Sequence, residues 1–122
     1  MTDESSYRLT IDETDAAVVG HVSGEIDHGN AGELQAAILG KLTTGPLILD
    51  LSRLEFIDSA GLAVLETVRR ATPVWVVIPP ESIINRVFEI VGLENIIPTY
   101  TSLDDALVHV READSKPDEG RS

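Results

Sequence analysis

The 122-residue chain contains no cysteine, so disulfide bonds and thiolate chemistry are excluded. It also has no run of about 18 apolar residues, the length that predicts a transmembrane helix. The N-terminal segment M-T-D-E-S-S-Y is polar and acidic, without the basic and apolar regions of a signal peptide. From these absences we expect a protein of a bacterial-type cytoplasm.

Basic residues are scarce: 9 lysines and arginines stand against 21 acidic residues, for a net charge of −12. Nucleic acids and anionic membranes bind cationic surfaces, so we expect neither as a partner. A basic protein partner is compatible with this charge. A simple requirement for solubility accounts for it equally well.

Length and composition predict one domain. Apolar residues make up 43% and charged residues 25% of the chain, and a chain of this size buries about two thirds of its unfolded surface. The apolar pattern places the domain at residues 7–112. Residues 1–6 are predicted to be a flexible N-terminus. Residues 113–122 are predicted to be a disordered tail, because they offer no apolar anchor.

Alternating and short apolar runs predict strands at residues 7–12, 16–23, 47–51 and 74–78, with a short last strand at Ile96-Ile97. Helical spacing predicts helices at about 31–42, 60–71 and 81–91, and a final helix ending near Glu112. This order predicts an α/β fold. We expect a mostly parallel sheet of four to five strands with an opening hairpin and about four helices.

Three helix ends carry recognisable signals. Asn30 with Glu33 three residues later predicts a capping box, and Ser102 with Asp105 predicts the cap of the last helix. Gly92 is expected to end the third helix in the manner of a C-terminal glycine.

The step Asp58-Ser59-Ala60-Gly61 interrupts two apolar runs, where the chain passes from a strand into a helix. Ser59 is predicted to be the N-cap, accepting from the amide of Gly61 or Leu62. The serine is also a candidate for modification. A phosphate there would meet the positive end of the helix dipole and the negative charge of Asp58, so little change of fold is expected.

Catalytic functions fit the sequence poorly. The G-x-S-x-G elbow of hydrolases requires a glycine where this chain has Ile57, and the downstream histidine, His109, has no positioned acid. No P-loop pattern occurs. His21 and His28, like His109, lack metal-ligand spacing. We therefore expect no enzyme activity, no cofactor and no metal.

Three segments together resemble a known family. They are G-E-I-D at 24–27, L-I-L-D-L-S-R-L-E-F-I-D-S-A-G-L-A-V-L at 47–65, and N-R-V-F-E-I-V-G-L at 85–93. With the element order, they resemble the STAS domain of bacterial anti-sigma factor antagonists (anti-anti-sigma factors), over roughly residues 7–112.

The resemblance implies a partner switch. The unphosphorylated antagonist binds an anti-sigma factor, often a histidine-kinase-like serine kinase, and so frees a sigma factor for transcription. That kinase phosphorylates the serine after the aspartate, the complex dissociates, and a serine phosphatase resets the cycle. Carried over, Ser59 is the phosphoacceptor, Asp58 orients its hydroxyl, Asp27 lies beside it, and Gly61 lets the partner backbone approach.

The partner-binding residues implied by the resemblance are Asp27, Asp58, Ser59, Ala60, Gly61 and Leu62. Ala60 stands where the family often has a second Ser or Thr, which leaves Ser59 as the sole acceptor there. Leu62 either contributes an apolar contact with Ala63 or is simply buried. A monomer or weak dimer is expected. The alternatives are a STAS module in a non-sigma partner switch or stressosome-like assembly, and a nucleotide- or lipid-binding STAS accessory protein.

Overall fold

The computed structural model describes residues 6–41 and 45–115. The described residues form five strands, four α-helices and a short 3₁₀ turn: β1 (Tyr7–Glu13), β2 (Val18–Ile26), α1 (Ala31–Leu39), β3 (Leu47–Ile57), α2 (Ser59–Ala71), β4 (Val74–Val77), α3 (Ile83–Val91), the turn Leu93–Asn95, β5 (Thr99–Tyr100) and α4 (Leu103–Ser115). The predicted α/β class, the opening hairpin and the number of helices are confirmed. No described helix is long and apolar enough to cross a membrane.

The strands lie side by side in chain order, β1-β2-β3-β4-β5. β1 pairs antiparallel with β2, and each later pair is parallel. Val18, Leu47 and Val74 are register partners, so three parallel strands start level. Their carboxyl ends therefore reach one edge, which is where open α/β sheets place binding sites.

The two faces of the sheet are covered unequally. Helices α1, α2 and α3 pack on one face, burying Leu34, Val68 and Phe88 against strand residues such as Leu49. Helix α4 packs on the other face, where a smaller cluster contains Val19, Ile48, Val77, Ala106 and Val110. The β1–β3 side of that second face therefore keeps polar side chains.

Strand β3 is longer than predicted. It continues six residues past Leu51, because it pairs with β2 as far as Ile26 opposite Ile57. Two register shifts accommodate the extra residues of β3. They break the strict alternation of apolar residues, which is why the sequence pattern ended the strand too early.

The predicted short last strand is present, but its expected start at Ile96-Ile97 is wrong. Ile97 is fully buried in the core directly after the turn Leu93–Asn95, and β5 begins only at Thr99. A β-branched pair is favourable in a strand, but here Ile97 packs into the core beside a turn and Ile96 is 50% exposed. Helix α1 ends at Leu39, and Leu42 lies outside the described residues.

The cap predictions have mixed outcomes. Ser102 Oγ accepts from the amide of Asp105 at 3.1 Å, and Gly92 ends α3 with φ of 80°, so both predictions are confirmed. The Asn30 capping box is wrong, because the Asn30 side chain makes no bond to the helix. Helix α4 extends to Ser115, into the predicted tail. Residues 1–5 of the predicted flexible N-terminus and residues 116–122 of the predicted disordered tail lie outside the described residues.

Phe88 is the largest fully buried side chain, and it joins α3 to the sheet. We expect Phe88→Ala to lower the free energy of unfolding by about 3–5 kcal/mol, because a large cavity replaces the ring. Urea denaturation measures this. Val108→Ala, at a position that is 50% exposed on α4, is the matched control and should change stability by less than about 0.5 kcal/mol. Equal effects of the two substitutions would contradict the described core.

Candidate functional site

Strand β3 leads into α2 without a loop. Ile57 is the last strand residue, Asp58 is the N-cap and Ser59 is the first helical residue. The amide of Asp58 donates to the carbonyl oxygen of Ile26 at 3.1 Å. This bond holds the end of β2 beside the start of α2. The segment that follows β2 and the segment that follows β3 therefore lie side by side at the carboxyl edge of the sheet.

Asp58, and not Ser59, caps helix α2. Its backbone is extended (φ −106°, ψ −171°), and its Oδ1 accepts from the amide of Gly61 at 3.1 Å. Ser59 is already inside the helix, so its hydroxyl cannot occupy the cap position. The predicted Ser59 cap is wrong, by one residue. The cap bond from Gly61 is the main reason that the pKa of Asp58 lies below its usual value.

The second carboxylate oxygen of Asp58 faces the loop after β2. Asp58 Oδ2 accepts from the backbone amide of His28 at 3.0 Å, and His28 Nδ1 lies 3.7 Å from the same oxygen. The bond from His28 also lowers the pKa of Asp58, while partial burial acts in the opposite direction. The carboxylate therefore links the start of α2 to the loop after β2 and carries a negative charge at neutral pH.

The loop that carries Asp27 is held by a buried amide. Asn30 is 8% exposed; its Oδ1 accepts from the amide of Asp27 at 2.9 Å, and its Nδ2 donates to the carbonyl of Glu25 at 3.0 Å. Asp27 Oδ1 accepts from the amide of Gly29 at 2.9 Å. A buried amide with its groups paired gives a loop a defined shape. The structure thus brings Asp27 and Asp58 to the same edge.

Gly61 is required by the packing inside the protein. A Cβ at this position would lie 2.5 Å from Ile57 Cγ1 and 2.9 Å from Ile26 Cγ2. Both distances are too short for real carbon contacts. Gly61 is buried against the ends of β2 and β3. The structure therefore gives Gly61 a packing role, and its role as the approach point for a partner backbone stays a prediction.

The remaining residues of the motif differ in exposure. Ser59 is exposed, and its hydroxyl makes no hydrogen bond with any residue that the structure describes. Ala60 and Leu62 are partly buried and pack against the core under α2. Leu62 is thus partly buried, in line with one predicted alternative, and its contact with a partner stays a prediction.

Three residues of this edge were not anticipated. His28 holds Asp58 through its backbone, and Asn30 holds the Asp27 loop through its side chain. Phe56, two residues before Asp58, is 48% exposed. The sequence pattern ended β3 at Leu51, so it gave no signal for an exposed Phe56 near the end of that strand. The contacts of Asn30 and His28 join chain segments that no local pattern connects.

His109 lies away from this edge. It belongs to α4, on the other face of the sheet from α2, and its ring stacks on Tyr100 at 4.6 Å. Its Nδ1 donates to the carbonyl of Asp105 at 2.9 Å. His109 is therefore not positioned as a base for Ser59. Within residues 6–41 and 45–115, no group of three or more His, Cys, Asp or Glu is arranged to hold a metal ion.

The sheet edge, where Asp58 links α2 to the loop after β2 beside the exposed Ser59, has the features of a recognition surface. Residues 8–106 match the family model of the STAS domain. The chain is 30% identical to the anti-sigma-F factor antagonist RsfB of Mycobacterium tuberculosis over 116 residues, which cover 91% of this chain and 95% of RsfB. The chain belongs to the STAS-domain family.

Solved structures show the same architecture. The crystal structure of an anti-sigma factor antagonist from Mycobacterium paratuberculosis superposes with a TM-score of 0.80 at 32% identity, covering 91% of this chain and 99% of that one. The unphosphorylated form of the anti-sigma factor antagonist SpoIIAA has a TM-score of 0.67 at 24% identity, over 85% of this chain and 96% of that one. The latter likeness concerns the fold alone.

The packing of Gly61 leads to a testable result. We expect Gly61→Ala to lower the free energy of unfolding by about 1–3 kcal/mol, because the new methyl group displaces Ile57 and Ile26. Gly32→Ala is the matched control: it lies in a helix with nothing within 4 Å of the added Cβ. It should stabilise the protein by up to about 1 kcal/mol. Thermal or urea unfolding distinguishes the two, and a neutral Gly61→Ala would contradict the described packing.

The lowered pKa of Asp58 predicts a pH dependence of stability. Because its folded pKa is below its unfolded value of about 3.9, the ionised carboxylate stabilises the protein above that pH. This contribution is lost as the pH falls through the folded pKa. Asp58→Asn keeps a side chain that can cap a helix but does not titrate.

Urea denaturation at a series of pH values checks this prediction. The wild type should lose more stability than Asp58→Asn between about pH 5 and pH 2, so that their difference shrinks on acidification. A difference that stays constant over this range would contradict the role of the carboxylate.

Proposed function

We propose that the protein is an anti-sigma factor antagonist, and that phosphorylation of Ser59 switches its binding. The observation that carries the proposal is the contrast between two adjacent side chains. Asp58 is fixed by two backbone amides, whereas Ser59 is exposed with an unbonded hydroxyl. The similarity to RsfB and to the M. paratuberculosis antagonist supports the same function.

In the proposed complex, the unphosphorylated protein binds an anti-sigma factor of the serine-kinase type and so frees a sigma factor. The binding surface is the edge formed by the Asp27 loop and the start of α2, with Ser59 at its centre. The exposed part of Leu62 supplies apolar area next to these polar groups. A mixed surface of this kind is typical of transient protein interfaces.

The proposed modification requires no rearrangement. The kinase transfers the γ-phosphoryl group of ATP to the Oγ of Ser59; the O–P bond to ADP breaks, the new bond forms and the hydroxyl proton is lost. Since the hydroxyl has no bond within the described residues, the fold loses none on modification. Asp58 continues to cap the helix, so phosphorylated and unphosphorylated forms should share one structure.

The added charge is the proposed signal. A phosphoserine carries about two negative charges at neutral pH. It would lie beside the Asp58 carboxylate, which already holds a charge, and near Asp27. Like charge facing an acidic group of the partner costs several kcal/mol, and each ~1.4 kcal/mol is about tenfold in affinity. One phosphate is thus sufficient to end binding.

A serine phosphatase is proposed to remove the phosphate and restore binding. We further propose that the cycle takes place in the cytoplasm and that the protein acts as a monomer or weak dimer. Binding does not require nucleic acid or a membrane in this proposal, in agreement with the net charge of −12.

The switch predicts the behaviour of two substitutions. Ser59→Ala should bind the anti-sigma factor within about twofold of wild type, and Ser59→Glu should bind at least about tenfold more weakly. Thr67→Glu, at an exposed position two turns further along α2, adds the same charge away from the site and should bind like wild type. All three should unfold at the wild-type temperature, since Asp58 provides the cap.

A pull-down from lysate of the native organism, with each variant as bait, finds the partner, and calorimetry with the purified partner measures the affinities. Capture of a histidine-kinase-like protein by the alanine bait and not by the glutamate bait supports the proposal. Equal capture by the alanine and glutamate baits would reject Ser59 as the switch. Capture of a partner unrelated to sigma-factor control would keep the switch but replace the antagonist function.

A further inference from the structure

The face of the sheet that α4 leaves uncovered contains a groove of about 510 Å³. Its lining comes from β1, β2 and β3: Arg8, Thr10, His21, Val22, Ser23, Asp50, Ser52 and Arg53. Helices α1, α2 and α3 lie on the other face of the sheet, so the groove is separate from the surface proposed to bind the anti-sigma factor. Its volume is in the range of small-molecule sites.

Two arginines face each other across this groove. Arg8 of β1 is the register partner of Ser23 in β2, and Ser23 is the register partner of Arg53 in β3. The three residues therefore form one row across three strands, with the arginine backbones about 10 Å apart, two strand spacings. Arginine side chains are long enough to meet above the central serine.

The side chains of both arginines lack partners within the described part of the chain. Neither the Arg8 nor the Arg53 guanidinium makes a hydrogen bond or an ion pair with a described residue. Arg69 and Arg70, in contrast, both pair with Glu66. In a chain with 21 acidic residues and 9 basic ones, two unpaired arginines on one groove are an unusual concentration of positive charge.

An irregularity of β3 shapes the groove. The β2–β3 register shifts between His21 and Ser23, so that β3 uses one extra residue there. As a result Ser52 and Arg53, which are adjacent in sequence, both line the groove. Bulges that redirect a side chain are common next to binding sites.

The acidic groups of this face are already engaged. Asp50 Oδ2 lies 2.9 Å from His21 Nδ1, and its Oδ1 accepts from the amide of Ser52 at 3.1 Å. Asp12, outside the groove lining, lies 3.1 Å from His21 Nε2. The lining itself contains two arginines against one aspartate. Its local charge is thus opposite in sign to that of the whole chain.

We propose that this groove binds a small phosphate-bearing anion. Two guanidinium groups supply charge-assisted and bidentate hydrogen bonds, and the hydroxyls of Thr10, Ser23 and Ser52 add further donors. Together these donors exceed what the two oxygens of a carboxylate accept, and they match the three terminal oxygens of a phosphate. An extended polyanion is disfavoured because the surrounding protein is acidic.

The test is a titration of ¹⁵N-labelled protein followed by amide chemical shifts, with inorganic phosphate in one arm and adenosine 5′-monophosphate in the other. Potassium chloride at equal ionic strength is the reference. We expect saturable shifts at the amides of Ser23, Ser52 and Arg53. If both compounds give saturable shifts, free phosphate is sufficient for binding. If only the nucleotide gives them, the ligand is an organic phosphate ester.

The double variant Arg8→Gln/Arg53→Gln should weaken binding by at least about tenfold. Arg70→Gln/Arg86→Gln, which changes two exposed arginines of α2 and α3 on the other side of the sheet, removes the same charge. This matched control should bind within about twofold of wild type. Amide shifts far from the groove report whether each variant is folded. Absence of saturable shifts in both arms, or equal weakening in the control, would overturn the proposal.

Discussion

The Asp58 carboxylate joins the start of α2 to the loop after β2, and the proposed recognition surface depends on this link. One oxygen accepts from the amide of Gly61 and starts helix α2; the other accepts from the amide of His28 and holds the loop after β2. Because the aspartate performs the structural task, the neighbouring Ser59 remains free to be modified. Gly61 completes the arrangement, since any larger residue would push α2 away from Ile57.

The sequence was sufficient for the fold class, the hairpin, the helices and the position of Asp58 and Ser59, because each of these depends on local patterns. It failed where distant contacts decide. The bulges of β3 arise from its pairing with β2, the burial of Ile97 from the packing of a turn, and the position of Asn30 from bonds to the preceding loop. Ser59 and Asp58 are both good caps in isolation, and only the backbone shows which one starts the helix.

The two faces of one sheet offer two different electrostatic environments. At the carboxyl edge, Asp27 and Asp58 concentrate negative charge around a single exposed serine, which suits a switch that works by adding more negative charge. On the uncovered face, Arg8 and Arg53 concentrate positive charge in a groove. In this protein of net charge −12, the two proposed binding sites therefore differ in the sign of their local charge as well as in their position.

The most direct measurement is to map the phosphate on the protein after incubation with ATP and its cognate anti-sigma factor, by fragmentation mass spectrometry. The account predicts one phosphate, on Ser59, and a phosphorylated protein that keeps the amide spectrum of the unmodified fold outside the Asp27 loop and the first turn of α2. A phosphate on any other residue, or a spectrum changed throughout the sheet, would contradict it.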